Sequence, residues 1–535
     1  MKKKALTIIS TLLALIFVVA CAGTPATSST ASSATNPPAE ATEQPKAAET
    51  EAPSTQETKA KDSLTIAIWS NPQTFDPTDV TLQPDQHVIN AIFDTLVWPA
   101  NEKGEYECRL ATSYEFENDT TLVFHLRDDV YFHNGEKLTA DDVVFSLLRD
   151  VASNGNKSSF SGFDPDNIIA RDEKTVQIGF TYPNVAAFAY LSSPRGGIVC
   201  KSAFEEMGAD AFKTNPVGSG MFKFVSFESG DRVVLERNEN YWGEKPLYKN
   251  LYFRVITEDS VRAMEVQSGG VDIAMKIASS DFDNLKLDPN LVAIAGKGVT
   301  QSSFQFNAQQ ERFSDIRIRK AMNYALDMPA IVKAVYGEYA EPASSLFAPS
   351  VLYYKKEGPI VQDQELARQL VAEAGYGEEG FSCEITLPQE SDMLAIAEIC
   401  KAQWEECNIH VTITVMEQVA LREANTKGLN EFVRASFFCS TGDPSQCMMV
   451  WGSNWNGGLR VRDAKVDELL QKGLAAMDQT ERAAIYAELQ DYCWDMFQCI
   501  NLAAPMNLCV TTGKLQNFVL PTGYITYYNE FYVAQ

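Results

Sequence analysis

The sequence predicts a mixed α/β protein built as more than one lobe, and three observations carry that expectation. Runs rich in β-branched residues alternate with segments of helical period, the pattern of layered α/β structure. The stretch from Ser63 to Gln535, about 473 residues, exceeds what one hydrophobic core usually supports, so two or three lobes are expected. Residues 22–62 differ in composition from all that follows, which places the start of the folded part near Ser63.

At the N-terminus, Lys2, Lys3 and Lys4 precede an apolar run from Ala5 to Ala20 broken only by Thr7, Ser10 and Thr11. That run is short for a helix that must cross about 30 Å of hydrocarbon. Its charged start, apolar centre and small-residue end are those of a secretory signal. It closes on Val18-Val19-Ala20-Cys21, which resembles a bacterial lipobox. The resemblance implies that residues 1–21 are a signal peptide and that Cys21, diacylated on sulfur, is the lipid anchor to the membrane. Residues 22–62 are Ser, Thr, Ala, Pro and Glu with almost no large apolar side chain. Such a stretch cannot offset its ordering entropy and reads as a disordered tether, with a mean span of roughly 35–40 Å.

Leu64 to Trp69 is expected to open the folded part as a strand, ended by Pro72 and Pro77. Val88, Ile89, Ile92, Phe93 and Leu96 give residues 85–96 a helical apolar face. Leu122–Leu126 and Val130–Phe132 read as strands, the second followed by the turn signal Asn134-Gly135. Thr139 and Asp142 form a capping box opening a helix at 140–150. Farther on, Ile318, Ala321, Met322, Ala325 and Leu326 share i, i+3, i+4 spacing. Pro329 begins a helix that Gly337 stops, and another over 364–374 ends at Gly375. A helix predicted at 391–407 carries the stripe Met393, Ile396, Ala397, Cys400, Trp404, Cys407. It runs into Ile409, Val411, Ile413 and Val415, a strictly alternating strand.

The formal net charge is −26, and residues 1–62 contribute none of it, since six lysines there balance six acidic residues. Such an acidic surface argues against nucleic acid as a partner, because phosphate binding needs clustered Lys and Arg. Of the eleven cysteines, ten follow Cys21, without CxxC or a Cys/His pair at zinc spacing. Cys400 and Cys407 are expected as buried thiols; disulfides among the other eight stay open. His87, His125, His133 and His410 are expected in packing and surface roles. The sequence has no GxSxG, HExxH or GxxxxGK[ST], so no catalytic residue, metal ligand or cofactor is assigned and no enzyme is expected.

Five stretches together carry a family resemblance. They are Phe124-His-Leu-Arg-Asp-Asp-Val-Tyr-Phe-His-Asn-Gly135 with Thr139-Ala-Asp-Asp-Val-Val-Phe-Ser146; Asn215-Pro-Val-Gly-Ser-Gly220; Leu235-Glu-Arg-Asn-Glu-Asn-Tyr-Trp-Gly243; Arg317-Ile-Arg-Lys-Ala-Met-Asn-Tyr-Ala-Leu-Asp327; and Ala372-Glu-Ala-Gly375. In this order and spacing they resemble the family-5 extracellular solute-binding proteins, the oligopeptide, dipeptide and nickel-binding group of ABC importer lipoproteins. The resemblance implies a two-lobed periplasmic-binding-protein-like fold (type II, the large cluster C form) whose cleft closes over ligand. Lobe I would take 63–255 and 505–535, and lobe II 256–504. Closure is then a population shift read by the permease and ATPase subunits of the importer, outside the cytoplasm.

By the same resemblance, an extended ligand adds like a strand to Ala435-Ser-Phe-Phe-Cys-Ser440, just before Gly442-Asp443-Pro444. Ser436, Phe437, Phe438, Cys439, Ser440 and Asp443 become candidate contacts, with Thr81 and Gln83 from the first lobe. Phe437 stands where relatives often have Trp and is either an apolar wall of the site or a buried strand residue. Two departures bear on selectivity. Ser440 replaces the Asp that anchors a peptide ammonium in peptide-binding relatives, and Asp443 is the candidate to take over that role. Glu390 stands where dipeptide binders carry an Arg for the ligand carboxylate, so it should repel a carboxylate and welcome a cation. A longer or basic peptide is therefore expected rather than a plain dipeptide. The alternatives are a nickel chelate or another amine-bearing solute, or a signalling receptor on the same fold.

Overall fold

The opening strand, Ser63–Ile68, lies near the middle of a seven-stranded sheet. Leu64, Ile66 and Ile68 face one apolar core and Ala67 another, so the strand is covered on both sides. This is why it reads as a nearly continuous apolar run. Its neighbours Asn250–Val255 and Ile273–Met275 both run parallel to it. Across the sheet the order is Leu291–Gly296, Asn507–Thr512, Ile273–Met275, Ser63–Ile68, Asn250–Val255, Arg232–Arg237, Phe222–Glu228. The computed structural model describes residues 60–535 apart from 81, 100–103, 154–158, 161 and 523–525. The expectations for the signal peptide, Cys21 and nearly all of the tether lie outside the described residues.

A second sheet of six strands is ordered Ala340–Pro342, Cys499–Pro505, Thr300–Phe306, Phe432–Phe438, Phe381–Leu387, Ile409–Val415. Its last three strands are parallel to one another. Helices Ile316–Tyr324, Met328–Tyr336 and Ser391–Glu405 share one core with it, in which Cys400, Trp404 and Cys407 are buried as expected. A smaller four-stranded antiparallel sheet, Ala111–Asn118, Thr121–Leu126, Thr175–Gly179 and Ile169–Asp172, has its own core with helix Ala140–Ala152. That helix begins with the capping box Thr139/Asp142.

Two short segments join the large sheets: 297–299, between Leu291–Gly296 and Thr300–Phe306, and Met506, between Cys499–Pro505 and Asn507–Thr512. Strands Ile273–Met275 and Leu291–Gly296 hydrogen-bond into the first sheet, so the first crossing falls after Gly296 and not at 255/256 as the sequence suggested. The partner that holds them there, Asn507–Thr512, lies more than 200 residues away in sequence. The crossings touch. A Cβ placed on Gly298 would stand 2.4 Å from the carbonyl oxygen of Pro505.

Two local expectations shift. The helix predicted at 85–96 is Gln83–Ile92; Phe93 turns extended and delivers Asp94 to a buried polar cluster. Val130–Phe132 forms no strand: Tyr131 bridges Lys137 across the turn at Asn134-Gly135, and Val130, Phe132 and Leu138 fill the small core. Among the described residues all ten cysteines are free thiols, nine of them buried.

Candidate functional site

In open α/β sheets ligands bind in the crevice outside the carboxyl ends of the parallel strands. In the first sheet those ends are Ile68, Val255 and Met275, leading into Trp69, Ile256 and Lys276. In the second they are Leu387, Val415 and Phe438, leading into Glu390 and the segment from Cys439 to Asp443. The crossover joins the two sets directly: Thr300 pairs with Phe438, and the Cys439 N–H donates to the Val299 carbonyl at 3.1 Å.

On the first wall a fully buried guanidinium organises the strand ends. Arg262 donates to the carbonyls of Ile256 (2.7 Å), Thr257 (2.9 Å), Met275 (3.1 Å) and Lys276 (2.6 Å). Lys276 is exposed and takes a left-handed backbone, φ 53°, costly for a residue with a Cβ. Its ammonium lies 5.9 Å from the Trp69 ring centroid, and the buried His87 imidazole meets the same indole edge-on. Burial holds His87 near a pKa of about 4, so it is neutral at physiological pH. Asp85 accepts from the Gln73 N–H at 3.1 Å, yet burial raises its pKa to about 7. Gln83 opens the helix here, half-buried; Thr81 lies outside the described residues.

The second wall bears on three expectations. Asp443 does not wait for a ligand ammonium. Its carboxylate, buried, accepts from both terminal nitrogens of Arg482 at 2.6 and 2.9 Å and from the Ser445 N–H at 2.9 Å. Burial pushes its pKa up, but Arg482 and these bonds outweigh that and hold it below the usual carboxylate value. Glu390 is not an unmatched charge either, since Arg434 pairs with it at 2.9 Å. Arg434 lies on Phe432–Phe438 and reaches Ser436 Oγ at 3.4 Å. Phe437 is 1 % exposed and stacks on Trp451 at 6.0 Å, a core residue beneath the wall rather than its surface.

The remaining candidates sit where the strand gives way. Cys439 is buried, its thiol donating to the Asp443 carbonyl at 2.8 Å. Ser436, Phe438 and Ser440 are partly exposed. Ser440 Oγ accepts from Gln446 Nε2 at 3.0 Å, while its backbone N–H and C=O bond to no described residue. The small α/β unit also reaches helix Ala464–Ala475 near this segment. The Val185 N–H donates to the Leu474 carbonyl at 3.0 Å. Tyr106 and Tyr190 come near enough to Asp443 that, after burial itself, its charge helps push both phenols upward.

Arg482, Arg434, Lys276 and Arg262 were not singled out from the sequence. Each lies far in sequence from the group it serves or inside an unremarkable helix or strand, so no local pattern marks it. The arrangement has chargeable groups on both walls. Among the described residues no three His, Cys, Asp or Glu side chains converge as a metal site.

Comparisons with known proteins identify the family. The chain is 27% identical over 495 residues to the glutathione-binding protein GsiB of Salmonella paratyphi A, covering 87% of this chain and 93% of that one. It is 25% identical over 473 residues to heme-binding protein A of Haemophilus influenzae, covering 82% and 86%. Among solved structures, the ABC transporter-associated periplasmic binding protein DppA from Helicobacter pylori, in complex with peptide STSA, superposes with a TM-score of 0.81 at 24% identity, covering 88% of this chain and 98% of that one. The sequence model of the family described as "Bacterial extracellular solute-binding proteins, family 5 Middle" matches residues 105–458. The protein therefore belongs to the family-5 extracellular solute-binding proteins of ABC importers, which are transport receptors and not enzymes.

Proposed function

We propose that the protein captures a small peptide in the crevice between its two large sheets and presents it to an ABC permease and ATPase, held at the membrane by lipid on Cys21. The observation that supports a peptide is Ser440. Its backbone N–H and C=O are unpaired among the described residues where Phe432–Phe438 ends, beside the crossover, as strand-like addition of a ligand requires. The relative crystallised with a peptide supports the same class. The lobes in this reading are 60–296 with 507–535, and 300–505, hinged at 297–299 and Met506. A ligand touching Lys276 on one lobe and Ser440 on the other favours closure.

Mass spectrometry of solute co-purifying with the native protein tests the ligand class, followed by calorimetry with the peptide found. Peptide binding that survives a chelator is expected; binding lost to the chelator would replace this reading with a metal chelate. For the anchor, Cys21→Ser should abolish detergent partitioning, and unchanged partitioning would refute it.

A further inference from the structure

Away from the crevice, a cavity of about 500 Å³ opens between the core of the seven-stranded sheet and that of the four-stranded sheet. Trp98, Tyr241, Trp242 and Tyr527 wall it, with Met221 among its lining residues. The walls are fixed in advance. Asp94, fully buried, accepts from Trp242 Nε1 at 2.9 Å, from the Tyr241 hydroxyl at 3.4 Å and from Ser219 Oγ at 3.0 Å, and pairs with Arg109 at 2.6 Å. Trp98 and Tyr527 meet at 5.1 Å between ring centroids. Both indoles already attract cations: the Arg109 guanidinium carbon lies 3.9 Å from the Trp98 centroid and that of Arg127 lies 4.3 Å from Trp242.

Those two guanidiniums are neutralised, Arg109 by Asp94 and Arg127 by Asp129. Three carboxylates of the cavity lining are not. Glu107, Glu244 and Glu530 line the same cavity, are exposed, and make no ion pair with any described residue. Burial raises the Tyr527 hydroxyl pKa, the Arg109 charge opposes that, and Glu530 and Glu107 add to it, which places both carboxylates near the ring. Electron-rich rings held rigid beside uncompensated carboxylates match one chemistry, an organic cation whose charge is spread over methyl groups. We infer that this cavity is a second binding site, separate from the crevice, for a quaternary ammonium group.

The test uses the folded protein, choline, and 3,3-dimethyl-1-butanol, which keeps choline's shape without its charge. Saturable choline binding by calorimetry is expected, at least about tenfold tighter than the neutral isostere. Tyr527→Ala and the double variant Glu244→Gln/Glu530→Gln should each weaken choline severalfold without shifting the melting temperature by more than a degree or two. These residues lie at the solvent rim, so folding should survive. Sedimentation with phosphatidylcholine vesicles separates two sources of the group: pelleting assigns it to a lipid head group, and choline binding without pelleting to a free solute. Equal affinity for choline and its isostere, or no choline binding at 10-millimolar scale, overturns the inference.

Discussion

Two buried or half-buried ion pairs decide what the crevice residues can do. In the Asp443–Arg482 pair both side chains are at most 5% exposed, so neither charge has water to fall back on. Removing one partner of such a pair typically costs about 3–5 kcal/mol, because the other is left charged and dry. Asp443→Ala should therefore destabilise the protein by that amount in urea titration. Adding Arg482→Met should recover part of the loss, and a single-variant cost below about 1 kcal/mol would show the pair to be dispensable. At Glu390 the expectation runs opposite to the one its charge alone suggests. Its carboxylate neutralises Arg434, so Glu390→Gln frees a cation beside Ser436. Affinity for a tetrapeptide with a free C-terminus should rise by up to about tenfold over its amidated form, a gain that salt erodes. No difference between the two peptides would place Arg434 outside ligand reach.

At the scale of elements, the crossovers carry the argument. Gly298 lets 297–299 run against Pro505, and Ser350 Oγ donates to its carbonyl at 2.6 Å. Gly298→Ala must push the two segments apart, at a cost of about 1–3 kcal/mol. Small-angle scattering should then show a more open average shape; an unchanged profile together with unchanged stability would mean the segments part freely. Elements whose ends are set locally were legible in the sequence. The helix at Thr139 begins with its capping box, Gly337 and Gly375 follow helices with φ 60° and 96°, and Ile409–Val415 is a strand as its alternation required. Elements set by distant partners were not. The helix after Gln83 stops at Ile92 because Asp94 answers Arg109, Ser219 and Trp242, none of them neighbours in sequence. The candidate site divides the same way: the segment from Ser436 to Asp443 is proposed from the family resemblance, whereas the pairing of Arg434 with Glu390 and of Arg482 with Asp443 emerges only on folding.

For the whole molecule, buried titrating groups set opposing dependences on pH. His87 and His133 are held near pKa 4 by burial, below the ordinary 6.5. The folded state resists charging them, so the stability they contribute is complete above pH 6.5 and is lost as pH falls toward 4. Asp85 works the other way. Its pKa rises from 3.8 to about 7, again mainly through burial. The unfolded chain ionises it first, so stability is greatest below pH 4 and is lost as pH rises through 7. At about 1.36 kcal/mol per unit, the histidines amount to at most about 7 kcal/mol together and Asp85 to at most about 4 kcal/mol. The histidines should win between pH 4.5 and 6.5, where stability rises with pH, and Asp85 should flatten the curve toward neutrality. Asp85→Asn keeps an oxygen for the Gln73 N–H and removes the titration. Its urea midpoint should exceed that of the natural protein by a margin widening from pH 4.5 to 7.5, and parallel curves would show that Asp85 is ionised in the folded state throughout.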